Sequence, residues 1–138
     1  MLEFFKKNDL FSANIGAELV SCEPGNAEMR LKLKKKHLNN IGRPHAHAGV
    51  LYTLAESASA AAILPYGWDC CAVEGVITYV DSVDRGVVTA VAKGKDEHDK
   101  ESGSCRVRLL NENGDIIAKA KFTILYSGER FKFPEAES

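Results

Sequence analysis

The residues with chemistry to offer gather in one stretch, residues 37–56, HLNNIGRPHAHAGVLYTLAE. Between Pro44 and Trp68 the acidic and basic side chains reduce to His45, His47 and Glu56. A carboxylate two turns into an otherwise apolar helix is costly to bury without a partner. Burial would raise its pKa, which suits a general base or a nucleophile. The plainer alternatives are a wet helix face or a salt bridge at an interface. The loop ending Ala46-His47-Ala48-Gly49 leaves backbone N–H groups free at the positive end of a helix. Such donors polarise a carbonyl and hold a developing oxyanion. A carboxylate with an oxyanion site is a constellation for acyl transfer or hydrolysis, with Asn39, Asn40 and His37 available to orient water or substrate. His45 and His47, with His37 or Glu56, would be the material for a metal site. No motif fixes a ligand set, so no metal is expected. Cys22, Cys70, Cys71 and Cys105 have no paired histidine nearby in sequence and match no zinc spacing. No phosphate-cradling glycine loop occurs.

These groups need elements to position them. Residues 49–64 are rich in alanine, with Leu51, Leu54, Ala55, Ala58 and Ala62 at helical spacing, and Pro65 and Gly67 stop the run. The small side chains of residues 57–62 predict a helix buried nearly all round. Residues 27–34 alternate apolar and polar as a half-buried strand, entered from a weaker strand at 14–22 through Pro24-Gly25-Asn26. The run Lys34-Lys35-Lys36 reads as the solvated end of that strand, or as a phosphate contact. Four further strands are expected at 71–80, 86–94, 103–111 and 115–126, the last two joined by the hairpin dipeptide Asn113-Gly114. Residues 1–11 read as an N-terminal arm or short helix, 95–102 as a charged loop, and 128–138 as a loose tail. Two strands, a buried helix and four antiparallel strands make an α+β domain, a curved sheet of about six strands wrapped around one long central helix. Unpaired edges and apolar residues on the other face point to a second subunit.

Length and composition set the outer limits. The 138 residues fit a single domain, 1–138. The chain is 45% hydrophobic and 27% charged, and its net charge of −1 argues against a nucleic-acid partner. No apolar run approaches the ~20 residues of a membrane span, and no signal peptide is evident. The expectation is a cytoplasmic protein with free thiols and no membrane partner.

The spaced groups Asn40-Ile41-Gly42, His47-Ala48-Gly49 and Leu54-Ala55-Glu56 resemble the motif of the hotdog-fold acyl-CoA thioesterases, in particular their phenylacetate-degradation-type branch. Gly49 and Glu56 are seven residues apart, as in that family. The likeness continues through 76–92 and 107–124, covering roughly residues 12–126. The resemblance implies a hotdog fold and hydrolysis of an acyl- or aryl-CoA thioester without a cofactor. By the same resemblance Glu56 attacks the thioester or activates water, the turn His47, Ala48 and Gly49 holds the thioester oxygen, and Asn40 positions water or thioester. Arg85 and Lys93 are the candidates to hold CoA. Homodimers with active sites at their interface, or tetramers, are implied. Ala48 stands where the family usually has a glycine, and the loop from Asn40 to His47 is one residue longer than usual. The missing glycine lends some weight to the alternative of a non-catalytic acyl-CoA-binding or regulatory dimer, and the longer loop leaves open whether Asn39 or Asn40 serves the site. A hotdog hydratase using His47 is the third reading.

Overall fold

The computed structural model describes residues 1–133. Two short helices, α1 (Leu2–Asn8) and α2 (Leu10–Asn14), lead into strands β1 (Glu18–Glu23) and β2 (Asn26–Lys32). A two-residue hairpin, β3 (Leu38–Asn39) with β4 (His45–Ala46), precedes the long helix α3 (Ala48–Ile63). Strands β5 (Trp68–Tyr79), β6 (Val87–Gly94), β7 (Ser102–Leu110) and β8 (Ile116–Arg130) complete the chain.

The main sheet has six strands in the order β1-β2-β6-β7-β8-β5, every neighbouring pair antiparallel. The α+β architecture of a sheet around one central helix is therefore the one the hydropathy pattern predicts. Alternation along each strand assigns the faces. Ala27, Met29 and Leu31 of β2, Val88, Ala90 and Ala92 of β6, Val107 and Leu109 of β7, and Ala118, Ala120 and Phe122 of β8 are buried toward the helix. Across that face α3 buries Leu51, Leu54, Ala55, Ala58, Ala61 and Ala62. The alanines let the helix lie close against the sheet, and packing rather than helix propensity holds it there.

Four local features depart from the sequence reading. The N-terminal arm is two helices, because Asp9 breaks the first and caps the second by accepting the Ser12 N–H at 3.2 Å. The first strand starts later than residue 14, since α2 and a turn at Gly16 (φ +86°) take up its beginning. Strand β8 runs through Gly128 to Arg130, into the segment read as a tail, whose residues 134–138 lie outside the described part. Finally, Ala48–Tyr66 forms a 19-residue helical stretch of mean hydropathy 1.2, so an apolar run of near-membrane length does exist. It is the core helix on which the sheet packs.

Candidate active site

Helix α3 starts on a cap the sequence supplies. His47 holds an extended conformation (φ −59°, ψ 134°), and its Nδ1 accepts the Gly49 N–H at 2.8 Å. The His47 carbonyl takes the Val50 N–H at 2.9 Å and the Leu51 N–H at 3.3 Å. Of the amides expected to hold an oxyanion, the Gly49 N–H is thus already engaged. The Ala48 N–H, exposed at the helix start, has no partner among the described residues. Tyr79 from the end of β5 donates its hydroxyl to the Ala48 carbonyl at 2.9 Å and fastens the first turn to the sheet edge.

Glu56 sits half-buried two turns along α3. It lines a cavity of about 310 Å³ with Ser59, Ala60, Ile63 and Leu64 of the helix side and Cys70, Cys71, Ala72 and Ile124 of β5 and β8. Its carboxylate makes no hydrogen bond or ion pair among the described residues. Burial, reinforced by the negative charge of Asp9, pushes its pKa above the ordinary carboxylate value. A partly desolvated, unpaired carboxylate in a cavity wall is equipped to take up a proton. A larger cavity, about 670 Å³, lies under the N-terminal helices and contains Asp9, Ser12 and Ser57. Its two serines bond one another at 2.8 Å and tie α2 to α3 beside Glu56. The unpaired carboxylate therefore belongs to the smaller cavity.

Carboxylate and helix-start amides do not meet within one chain. Gly49 and Glu56 are seven residues apart on α3, and a rise of 1.5 Å per residue separates them by about 10 Å along the axis. No single carbonyl touches both.

The remaining sequence candidates scatter. Asn39 closes a turn, its Oδ1 accepting the Ile41 N–H at 2.9 Å. Asn40 lies exposed beyond it on the β3–β4 hairpin, which absorbs the extra loop length. His37 is buried and fully used, with Nδ1 accepting the Lys34 N–H at 2.9 Å and Nε2 donating to the Ile15 carbonyl at 2.6 Å. It is a structural tie, not a group that orients substrate. His45 donates from Nδ1 to the Arg43 carbonyl at 2.7 Å. Among the described residues no three His, Cys, Asp or Glu side chains converge as ligands. Arg85 is exposed and paired with Asp84 at 3.0 Å. Lys93 lies at the other end of β6, on the face turned away from α3. More than about 20 Å of strand separates the two, so they do not form one site in this chain. Burial and the neighbouring Asp69 and Cys71 push the Cys70 thiol up to about 11, so it is protonated at neutral pH and no nucleophile.

Sequence reasoning missed three contributors. Asp9 acts on Glu56 from another element. Tyr79 holds the helix start from the end of β5. Ser59, three residues past Glu56, is 2% exposed, and its hydroxyl in the cavity wall has no partner among the described residues. Only its spacing from Glu56 on the helix was visible beforehand.

A protein of Archaeoglobus fulgidus named as a candidate esterase is 28% identical over 130 residues, 94% of this chain and 82% of that relative. Among solved structures, the Escherichia coli PaaI protein of the phenylacetic acid degradation operon superposes with a TM-score of 0.84 at 22% identity, over 94% of this chain and 93% of that one. The Streptococcus mutans protein smu.793, bound to acetyl CoA, gives 0.75 at 25% identity, over 84% and 92%. The fold is accordingly that of the PaaI-type hotdog thioesterases, as the motif around Glu56 implies. A family model described as a domain of unknown function, DUF4442, matches residues 4–126, and the chain belongs to that family.

Proposed function

We propose that the protein is an acyl-CoA thioesterase, hydrolysing an acyl- or aryl-CoA thioester to the carboxylate and free CoA. The observation that carries this reading is Glu56, an unpaired half-buried carboxylate with a raised pKa in the wall of a cavity. The acetyl CoA held by the Streptococcus mutans neighbour and the esterase name of the archaeal relative support the substrate class. Because amides and carboxylate are about 10 Å apart on one helix, the complete site takes Glu56 from one copy and the helix start of a second. Strand β5 offers the place for that copy: it is an edge strand, with Val73, Val76 and Val80 exposed along or just beyond it. A long apolar edge is a template for pairing. The Ala48 N–H polarises the thioester carbonyl, and Asn40 on its projecting hairpin reaches toward the partner's cavity. Glu56 takes a proton from water as the oxygen attacks the carbonyl carbon, the C–S bond breaks, and Glu56 passes that proton to the sulfur so that CoA leaves as the thiol. Direct attack by the carboxylate, with water cleaving the anhydride, is the other route open to the same residue.

The engaged Gly49 N–H favours a second reading, a dimer that binds acyl-CoA without turning it over. Assay of the protein and of Glu56→Gln against short, medium, long and aryl CoA thioesters, with products followed by chromatography, decides between them. Turnover lost in the variant with the fold retained supports hydrolysis. Binding without product in both supports the second reading. Equal turnover in both removes Glu56 from the chemistry.

A further inference from the structure

The face of the sheet turned away from α3 carries a cluster of cations that the proposed reaction does not use. Register fixes the arrangement. Lys93 of β6 is opposite Arg106 of β7, which is opposite Lys121 of β8; in the next row Arg108 of β7 is opposite Lys119 of β8. All five side chains are exposed, and none has an ion pair among the described residues. Strands about 4.8 Å apart and alternate residues about 6.8 Å apart put the five charges within one small grid. Like charges directly opposite across a ladder destabilise a sheet, so folding gives no reason for the grouping. The chain as a whole has a net charge of −1, so the remaining 13 Lys and Arg are outnumbered by 19 Asp and Glu, of which Glu28 on β2 and Glu74 on β5 border the cluster on this face.

The chemistry that fits is an array of phosphate groups. A second copy of the chain does not, since two such faces repel. Single-stranded nucleic acid is bound on aromatic stacking platforms, and the outward residues among the cations, Val76, Thr78, Thr89, Val91, Leu110 and Thr123, include no aromatic ring. Duplex readers insert a helix or ribbon into a groove, whereas this patch spans three strands in mid-sheet. Leu125, 45% exposed, continues the same face with an apolar side chain. We propose that the outer face of β6, β7 and β8 docks the protein on the surface of an anionic phospholipid bilayer, with α3 and the Glu56 cavity turned away from it.

Co-sedimentation with vesicles of phosphatidylcholine alone, and of phosphatidylcholine with 30% phosphatidylglycerol (~30% being chosen to give a surface potential of physiological size), tests this. The protein should bind the anionic vesicles and not the neutral ones, and lose that binding as salt rises. Each cation removed should weaken it roughly fivefold, so Arg106→Gln with Arg108→Gln should weaken it about 25-fold. The double variant should keep its circular dichroism, and Arg85→Gln, at a distant turn, should bind as the parent does. Equal binding to both vesicle types, or binding indifferent to the double variant, overturns the proposal. Capture on heparin or duplex oligonucleotide without vesicle binding overturns the lipid assignment in favour of a dissolved polyanion. None of these readouts depends on thioester turnover.

Discussion

Replacing Ser59 by alanine should make the protein more stable. The side chain is 2% exposed, inside α3, and its hydroxyl has no hydrogen-bond partner among the described residues. A serine inside a helix usually bonds the carbonyl one turn back, and this one does not. The thiol of Cys105 lies beside it, but sulfur is a weak acceptor and the Cys105 hydrogen goes to the Lys93 carbonyl at 3.4 Å. An unmade hydrogen bond at a buried hydroxyl costs about 1–3 kcal/mol. Against that, losing one oxygen leaves a void smaller than a methyl group, worth less than about 1 kcal/mol. Alanine also returns a few tenths of a kcal/mol (~0.3–0.5) in helix propensity. The balance is a gain of about 1 kcal/mol, or roughly 3–5 °C in Tm for a domain of this size. Urea and thermal unfolding at one fixed protein concentration measure it, the concentration being held because association shifts apparent stability. The urea midpoint should rise with an unchanged slope. A fall of 1 kcal/mol or more (~1 being the smallest change outside extrapolation error) would refute the reasoning, because the hydroxyl would then have a partner in solution. A gain would mean that the chain keeps a destabilising polar group in the wall of its Glu56 cavity, the pattern of a site retained for a ligand.

Glu56 makes stability depend on pH in a definite sense. Its folded pKa is raised by burial and by Asp9, so the folded state holds the proton more tightly than the unfolded chain. Stability should fall as pH rises from the ordinary carboxylate value through the raised one, then level off. Glu56→Gln should flatten that slope and be more stable at neutral pH, as read from urea midpoints between acid and neutral buffer. His47→Ala removes the side-chain cap on Gly49 and should cost about 1 kcal/mol. If the imidazole competes with substrate for that amide, the variant's kcat will rise relative to its stability; a fall in kcat with KM unchanged assigns His47 to orienting the turn. Val73→Lys with Val76→Lys should dissociate an edge-paired dimer in sedimentation velocity and abolish turnover while the monomer stays folded. Activity in a proven monomer would rule out a site shared between copies.

Much of the fold was legible because its signals are periodic. The Asn26–Lys32 strand, the alanine-rich helix and the Asn113-Gly114 hairpin each follow from spacing along the chain, and the structure has all three. The motif around Glu56 likewise pointed to the hotdog fold. What failed to show was whatever depends on a partner distant in sequence. His37 looks like a group available to substrate until Ile15 and Lys34 are seen to use both of its nitrogens. The β3–β4 hairpin was invisible because a two-residue strand carries no period. The charge of Asp9 on Glu56 required knowing that the N-terminal arm folds back over α3.

Net charge hides arrangement for the same reason. A balance of −1 reads as indifference to polyanions only if cations and acids are mixed. Here the alternation of β6, β7 and β8 sends their apolar residues to the helix and leaves lysine and arginine to the outer face. The register between strands then decides whether those cations meet acids or one another, and register is absent from any single strand's sequence. The two faces of this sheet therefore divide the work by a rule of geometry. The inner face must be apolar to hold a small-residue helix, which brings a lone carboxylate into a cavity. Packing leaves the outer face unconstrained, which frees its charge for the docking proposed above.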